Sequence, residues 1–123
     1  MASIIVTSGD QQGEYLPLGR RISVIGRGEA LPLQVLDDLV SRKHLRIRFD
    51  EDKNTYSAED LDSRHGVCIN QRKITELTAL VEGDEILIGE TTLLFTEKDF
   101  EDRESALSHY KKAGEGMRAT RLE

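Results

Sequence analysis

Three short polar segments contain the residues of this chain whose types are suited to binding an anion. The segments are Gly26-Arg27, Ser41-Arg42-Lys43-His44 and Ser63-Arg64-His65-Gly66. A phosphate group offers acceptor oxygens and nearly two negative charges, which arginine meets with forked charged donors and serine with a neutral hydroxyl donor. If the three segments converge, the candidate phosphate contacts are Arg27, Ser41, Arg42 and Arg64.

Other chemistries find less support in the same residues. Ser41 and His44 suggest nucleophilic catalysis, but nothing beyond their spacing indicates a triad. The histidines at 44, 65 and 109 and the lone Cys68 do not have the spacing of metal ligands. Gly26-Arg27-Gly28 is not followed by the Lys-Ser/Thr pair of a P-loop. We therefore predict a protein that is not an enzyme and has no cofactor or metal.

The distribution of charge favours a small anion over a long polyanion. The chain of 123 residues has a net charge of −6, which argues against binding to a nucleic-acid backbone. Residues 20–48 carry seven bases and three acids, so this segment is +4 and the remainder is −6 − 4 = −10. A basic spot on an acidic body suits a phosphate group.

Two further features predict a cytoplasmic location without a membrane partner. No apolar run approaches the roughly 18 residues that cross a bilayer, and the first residues lack the pattern of a signal peptide. Cys68 is the single cysteine and cannot form an internal disulfide, which fits a reducing compartment. Because it lies between Val67 and Ile69, we expect an inert thiol, in the core or half-buried.

The elements that must position the polar segments are short β-like runs. They cover residues 4–7, 14–18, 21–25, 33–36, 45–49, 55–61, 67–69, 73–74, 77–80, 85–88 and 91–96. Apolar and polar residues alternate most clearly in 45–49, as in a strand with one buried face. About eleven short runs at close spacing indicate an all-β sandwich or barrel. The polar segments lie at run ends, where a sandwich clusters its loops.

The composition changes after Lys98. Residues 99–113 lack a β pattern, have acids first and bases later, and end before Gly114, which predicts a short helix packed on the body or linking it to a partner. We expect residues 115–123 to form a mobile tail, and Thr120, flanked by arginines, to be either a kinase substrate or incidental. The predicted division is a β-sandwich domain over 1–97 and a helical extension with a tail over 98–123.

The order and spacing of these motifs resemble a known family. Gly26-Arg27, then thirteen residues, then Ser41-Arg42-Lys43-His44, then twenty-one residues, then Gly66, is similar to the forkhead-associated (FHA) signature. Residues 80–95, beginning with Leu80-Val81-Glu82-Gly83-Asp84, resemble its C-terminal strands. The resemblance implies an eleven-stranded β-sandwich that binds phosphothreonine peptides with its loops, as an adaptor in kinase-linked signalling. Its partner would be a phosphothreonine-containing protein.

The resemblance also implies roles for individual residues. Arg27 matches an arginine that contacts the phosphate or the peptide, Ser41 a serine that donates to the phosphate, and Arg42 a neighbour that often adds a contact. Arg64 matches a residue that can also reach the phosphate. His44 matches a histidine that braces the loops without touching the ligand. Gly26 and Gly66 belong to the same loop framework.

One position departs from the family pattern. The family has Asn-Gly-Thr in the third segment, and the asparagine holds the peptide backbone beside the phosphothreonine, whereas this chain has His65-Gly66-Val67. A neutral histidine offers one donor and one acceptor, so His65 is a candidate replacement for this clamp. The alternative is an FHA fold that serves as an interaction module independent of phosphate.

Overall fold

The computed structural model describes residues 2–97, which form eleven strands in two sheets. The predicted all-β sandwich is confirmed for these residues. The predicted helix over 99–113, the tail over 115–123 and Thr120 lie outside the described residues, so the division at 97 stays a prediction. Within residues 2–97, no helix has the length and apolar character needed to cross a membrane.

The strands coincide with the eleven predicted runs and differ from them at the ends by one or two residues. They are β1 (Ser3–Val6), β2 (Tyr15–Pro17), β3 (Ile22–Gly26), β4 (Leu33–Gln34), β5 (Leu45–Asp50), β6 (Thr55–Asp60), β7 (Val67–Ile69), β8 (Arg72–Lys73), β9 (Thr78–Leu80), β10 (Glu85–Ile88) and β11 (Thr91–Thr96). The first sheet has the order β2-β1-β11-β10-β7-β8, and the second sheet has the order β4-β3-β5-β6-β9.

The core lies between the two sheets and is built mainly from aliphatic side chains. Successive side chains of a strand point to opposite faces, so alternate residues of each strand enter the core. Ile4 and Val6 of β1 and Ile25 of β3 are fully buried there, as are Leu45 and Ile47 of β5. In β5 the polar Arg46 and Arg48 project outward, which explains the alternation in that part of the sequence.

The register of the second sheet brings three strand ends to one edge of the sandwich. Leu45, at the start of β5, pairs with Ile25 near the end of β3 and with Asp60 at the end of β6. The segments that follow β3, precede β5 and follow β6 therefore leave the sheet at the same end. These segments contain the three polar motifs of the sequence.

Gly26 is a position where only glycine fits. A Cβ atom there would lie 2.3 Å from the carbonyl oxygen of Arg42 and 2.8 Å from that of Ser41, which real structures do not show. The absence of a side chain thus lets the segment before β5 lie directly against the end of β3. Gly66 has a φ of +83°, a conformation that other residues rarely adopt.

Candidate functional site

Backbone and side-chain hydrogen bonds join the three polar loops into one surface. The Arg27 N–H donates to the carbonyl oxygen of Ser41 at 3.0 Å, and the Gly28 N–H donates to that of Arg42 at 3.1 Å. The Arg64 N–H donates to the Ser41 hydroxyl oxygen at 3.1 Å. Ser41 therefore lies between the first loop and the third loop, and contacts both.

His44 is the buried group beneath this junction. Its Nδ1 accepts a hydrogen bond from the Ser41 N–H at 3.0 Å, and its Nε2 lies 2.7 Å from the carbonyl oxygen of Gly66. A neutral ring with its proton on Nε2 satisfies both contacts at once. The side chain has no exposed surface, so it does not reach a ligand in this structure, and it links the second loop to the third.

Four of the five predicted binding residues line one shallow surface pocket of about 340 Å³. Its lining is Arg27, Asp38, Leu39, Val40, Ser41, Arg64 and His65. Arg42 is exposed but does not line this pocket, and it contributes its carbonyl oxygen to the loop junction. The structure thus brings Arg27, Ser41, Arg64 and His65 together and leaves the Arg42 side chain outside the lining.

Arg27 and Ser41 are held in orientations that leave donors available. The Arg27 Nε donates to the carbonyl oxygen of Val40 at 3.0 Å, which restrains the guanidinium and leaves its two terminal nitrogens available as donors to an anion. The Ser41 hydroxyl uses an oxygen lone pair to accept the Arg64 N–H, so its own hydrogen can donate to a ligand. Charged and neutral donors therefore meet in one pocket.

The third loop presents Arg64 and His65 at its tip. The Ser63 N–H donates to Asp60 Oδ1 at 3.0 Å, and the Ser63 hydroxyl oxygen accepts the Gly66 N–H at 2.9 Å. These bonds close a tight turn around the two exposed residues. Ser63 was part of the predicted motif, but its role as the residue that closes the turn was not.

The second loop is anchored at its start by Asp37, which the sequence did not single out. Asp37 Oδ1 accepts the Leu39 N–H at 2.9 Å, and Oδ2 accepts the Glu90 N–H and the Thr91 hydroxyl, both at 2.8 Å. Gly89 lies against this carboxylate, because a Cβ there would be 2.8 Å from Oδ2. The loop that carries Ser41 is thus tied to the β10–β11 turn.

The same bonds determine the acidity of Asp37. Burial raises the pKa of its carboxyl group, but the hydrogen bonds from the N–H groups of Leu39 and Glu90 and from the Thr91 hydroxyl together lower it more. The pKa of Asp37 therefore lies below its ordinary value, and the anchor is a charged carboxylate at neutral pH.

Three residues that line the pocket were not predicted from the sequence. Asp38, Leu39 and Val40 stand immediately before Ser41 in the chain and line the pocket with it. Acidic and aliphatic side chains are not of the types that bind an anion. Val40 contacts Arg27 through its backbone carbonyl oxygen, a group that is present in every residue. Their position in the same loop as Ser41 was the available signal.

Comparison with known proteins identifies the fold and the family. Residues 23–89 match the family model of the FHA domain. The FHA domain-containing protein FhaB of Mycolicibacterium smegmatis is 29% identical over 90 residues, which is 73% of this chain and 57% of FhaB. The chain therefore spans little more than half the length of this curated relative.

Solved structures with the same fold include two at 25% and 26% identity. One, from a structural and functional analysis of phosphothreonine-dependent FHA domain interactions, is 25% identical with a TM-score of 0.70, over 80% of this chain and 98% of that one. The other, the FhaA FHA domain complexed with the intracellular domain of Rv3910, is 26% identical with a TM-score of 0.69, over 77% and 99%.

The family model covers more than half of the 123 residues, and its match runs from β3 to the turn after β10, through all three polar loops. The fold, the loop junction and the matched residues agree: this chain belongs to the FHA domain family.

Proposed function

We propose that the loop pocket binds phosphothreonine in a partner protein, so that the chain acts as an adaptor in kinase-linked signalling. The observation that carries this proposal is the junction at Ser41, where an oriented arginine, a hydroxyl hydrogen and a second arginine line one pocket. In this role Arg27, Ser41 and Arg64 contact the phosphate, Arg42 adds charge from the side, and His65 holds the peptide backbone.

The chemistry of the pocket supports recognition of an anion, with no group that points to a reaction. Two arginines offer charge-assisted donors to a phosphate, and such bonds are about twice as strong as neutral ones. His44 is buried and accepts a hydrogen bond from the Ser41 N–H, and the Ser41 hydroxyl oxygen accepts one from the Arg64 N–H. FHA domains are interaction modules, and we propose that this chain likewise has no enzyme activity.

Calorimetric titration with a degenerate phosphothreonine peptide library, followed by single peptides, tests the function. We expect binding of phosphothreonine peptides and at least tenfold weaker binding of the same peptides without phosphate. Arg27→Ala should reduce the binding, whereas Arg48→Ala, on the exposed face of β5, should not. Equal affinity for phosphorylated and unphosphorylated peptides would overturn the proposal.

A second candidate function is supported by two lining residues. His65 stands at the position of the family asparagine, and Asp38 adds a negative charge to the pocket that would receive a phosphate. Both features favour a module that binds a partner without phosphate. A partner captured equally well before and after phosphatase treatment would establish this alternative.

A reducing cytoplasmic compartment is the setting in which we place this function. Serine and threonine kinases supply phosphothreonine there. The thiol of Cys68 is free and half-buried, which is consistent with a reducing compartment.

A further inference from the structure

The first sheet has a second buried face, which points away from the core. On β1, Ile4 and Val6 enter the core between the sheets, so Ser3 and Ile5 project from the opposite face. On β11, Leu93 and Phe95 enter the core, so Leu94 and Thr96 project outward in the same way. Ser3 pairs with Thr96, and Ile5 pairs with Leu94. These four outward residues form the outer patch.

The outer patch is shielded from solvent although it lies outside the core. Ser3, Ile5 and Thr96 are 0% exposed and Leu94 is 4% exposed. Ile5 and Leu94 are nevertheless absent from the core cluster that the two sheets enclose. Outward residues of a two-layer sandwich normally face water, so these values require a cover on this side of the sheet.

Residues 2–97 provide only part of that cover: the Glu82 side chain, from the loop before β10, accepts a hydrogen bond from the Thr96 hydroxyl at 3.2 Å, and no strand covers Ile5 or Leu94. All eleven strands lie in the two sheets, and the second sheet packs against the core face of the first. The shielded area does not extend over the whole outer face, because Leu87 on β10 projects from the same face and is 38% exposed. The shielded area therefore lies over β1 and β11 and ends before Leu87.

We propose that residues 99–113 of the same chain pack on the outer patch. Glu97 follows β11 directly, so the segment starts beside Thr96, which is itself part of the patch. Fifteen residues in helical form extend about 22 Å, and the distance from β2 to β10 across the patch is about 14 Å, so the segment is long enough.

The sequence of residues 99–113 is suited to packing on the outer patch. In helical spacing, the apolar residues of the segment fall on one side, together with Asp99 and Arg103; they are Phe100, Ala106, Leu107, Tyr110 and Ala113. The other side carries mostly charged and hydroxyl residues. An amphipathic segment of this kind buries its apolar side against a sheet, and Ile5 and Leu94 supply the aliphatic surface that it needs.

This packing makes the segment part of the folded unit and leaves the loop pocket open. β11 runs from Thr91, at the loop end of the sandwich, to Thr96 at the opposite end, so the chain leaves the sandwich far from Ser41. A helix on the outer patch would cover the middle of the first sheet, whereas the pocket is formed by loops at the edge of the second. The proposal is thus independent of whether the pocket binds phosphothreonine.

Nuclear Overhauser contacts in the full-length chain test the proposal directly. We expect contacts between the methyl protons of Ile5 or Leu94 and the ring protons of Phe100 or Tyr110. A sample mixed from labelled and unlabelled chains distinguishes intramolecular contacts from contacts between two copies. Absence of these contacts, or contacts only between copies, would overturn the proposal that the segment covers its own sheet.

A pair of neighbouring substitutions in the segment gives an independent test. Leu107→Ala should raise the equilibrium constant of unfolding about tenfold, because it removes apolar contacts with the patch. Ser108→Ala, on the charged side of the segment, should change the constant less than twofold. Equal effects of the two substitutions would contradict the predicted orientation, and the contacts of the unsubstituted chain remain decisive if Leu107→Ala fails to fold.

Discussion

At the scale of single residues, Arg27 and Arg42 are two nearby arginines with different surroundings. Both side chains are exposed, but Arg27 lines the pocket and is oriented by the carbonyl oxygen of Val40, whereas Arg42 does not line the pocket. Arg27→Ala should therefore weaken binding of a phosphothreonine peptide by about 1.5–3 kcal/mol, the value of a charged hydrogen bond. Arg42→Ala should cost less than 1 kcal/mol, as for a solvent-exposed charge. Calorimetry of both variants checks this order, and a larger loss for Arg42→Ala would contradict it.

His65 lines the pocket at the position of the family asparagine and is exposed. Asparagine offers an acceptor and two donors on one short side chain, whereas a neutral imidazole offers one of each. We expect His65→Asn to strengthen binding of a phosphothreonine peptide by roughly threefold to tenfold, about one hydrogen bond. His65→Ala should weaken it. Titrations of both variants with one peptide measure the effect, and equal affinities for all three proteins would remove His65 from the site.

The sequence predicted those residues of the pocket whose side chains carry hydrogen-bond donors. Arg27, Ser41, Arg64 and His65 carry donors, and all four line the pocket. Asp37 was not predicted as an anchor, because its function depends on Glu90 and Thr91, more than fifty residues away in the chain. Contacts of this kind arise from the fold and leave no local pattern in the sequence.

At the scale of elements, His44 connects two loops with one ring. His44→Ala would leave the Ser41 N–H and the Gly66 carbonyl oxygen without their partners and would open a cavity. We expect the free energy of unfolding to fall by about 2–4 kcal/mol and peptide affinity to fall with it. Urea denaturation measures the first effect, and Lys43→Ala, at an exposed neighbour, is the matched control. A variant as stable as Lys43→Ala would refute the bridging role.

Asp37 makes the attachment of the second loop dependent on pH. The pKa of its carboxyl group is lower in the folded chain than its ordinary value, because hydrogen bonds to the carboxylate outweigh burial. Its charge thus contributes stability above the unfolded-state pKa of about 3.9, and this contribution is lost as the pH falls through the folded-state pKa.

Asp37→Asn removes this titration while keeping the shape of the side chain. The variant should be less stable than the unsubstituted chain by about 1–2 kcal/mol at pH 7, since the amide can accept fewer of the three hydrogen bonds. The difference should shrink as the pH falls below 4. Urea denaturation from pH 7 to pH 3 follows it, and a difference that stays constant over this range would contradict the assignment.

The strands were predictable because they are short apolar or alternating runs between turn residues, but their ends depended on distant partners. Residues 33–36 were predicted as one strand, yet β4 ends at Gln34. The Leu36 N–H donates to the side-chain oxygen of Gln11 at 2.8 Å instead of continuing a ladder. Sheet order was not predictable for the same reason, since the pairing of β1 with β11 joins the two ends of the domain.

At the scale of the whole molecule, a basic spot lies on an acidic body. The net charge is −6, while residues 20–48, which contain Arg27, Ser41 and Arg42, are +4. Affinity for a phosphothreonine peptide should therefore fall as NaCl is raised from 50 to 500 mM, because salt screens exposed charges. At low salt, lysine-flanked peptides should bind more tightly than glutamate-flanked ones, because the body repels acids. Titrations at several salt concentrations compare them, and an affinity independent of salt would exclude an electrostatic contribution.

The pairing of β1 with β11 also has a consequence for how the chain folds. Ser3 lies opposite Thr96 and Val6 opposite Leu93, so the pairing of β1 with β11 joins residues that are 96 − 3 = 93 to 93 − 6 = 87 positions apart. Closing so long a loop costs entropy before any contact is gained, and domains rich in such pairings fold in milliseconds to seconds. Among the eleven strands, β1 is synthesised first and its partner β11 is synthesised last. The hairpin of β1 and β2 must therefore wait, with one edge of β1 unpaired, until the final strand of the sandwich has been made.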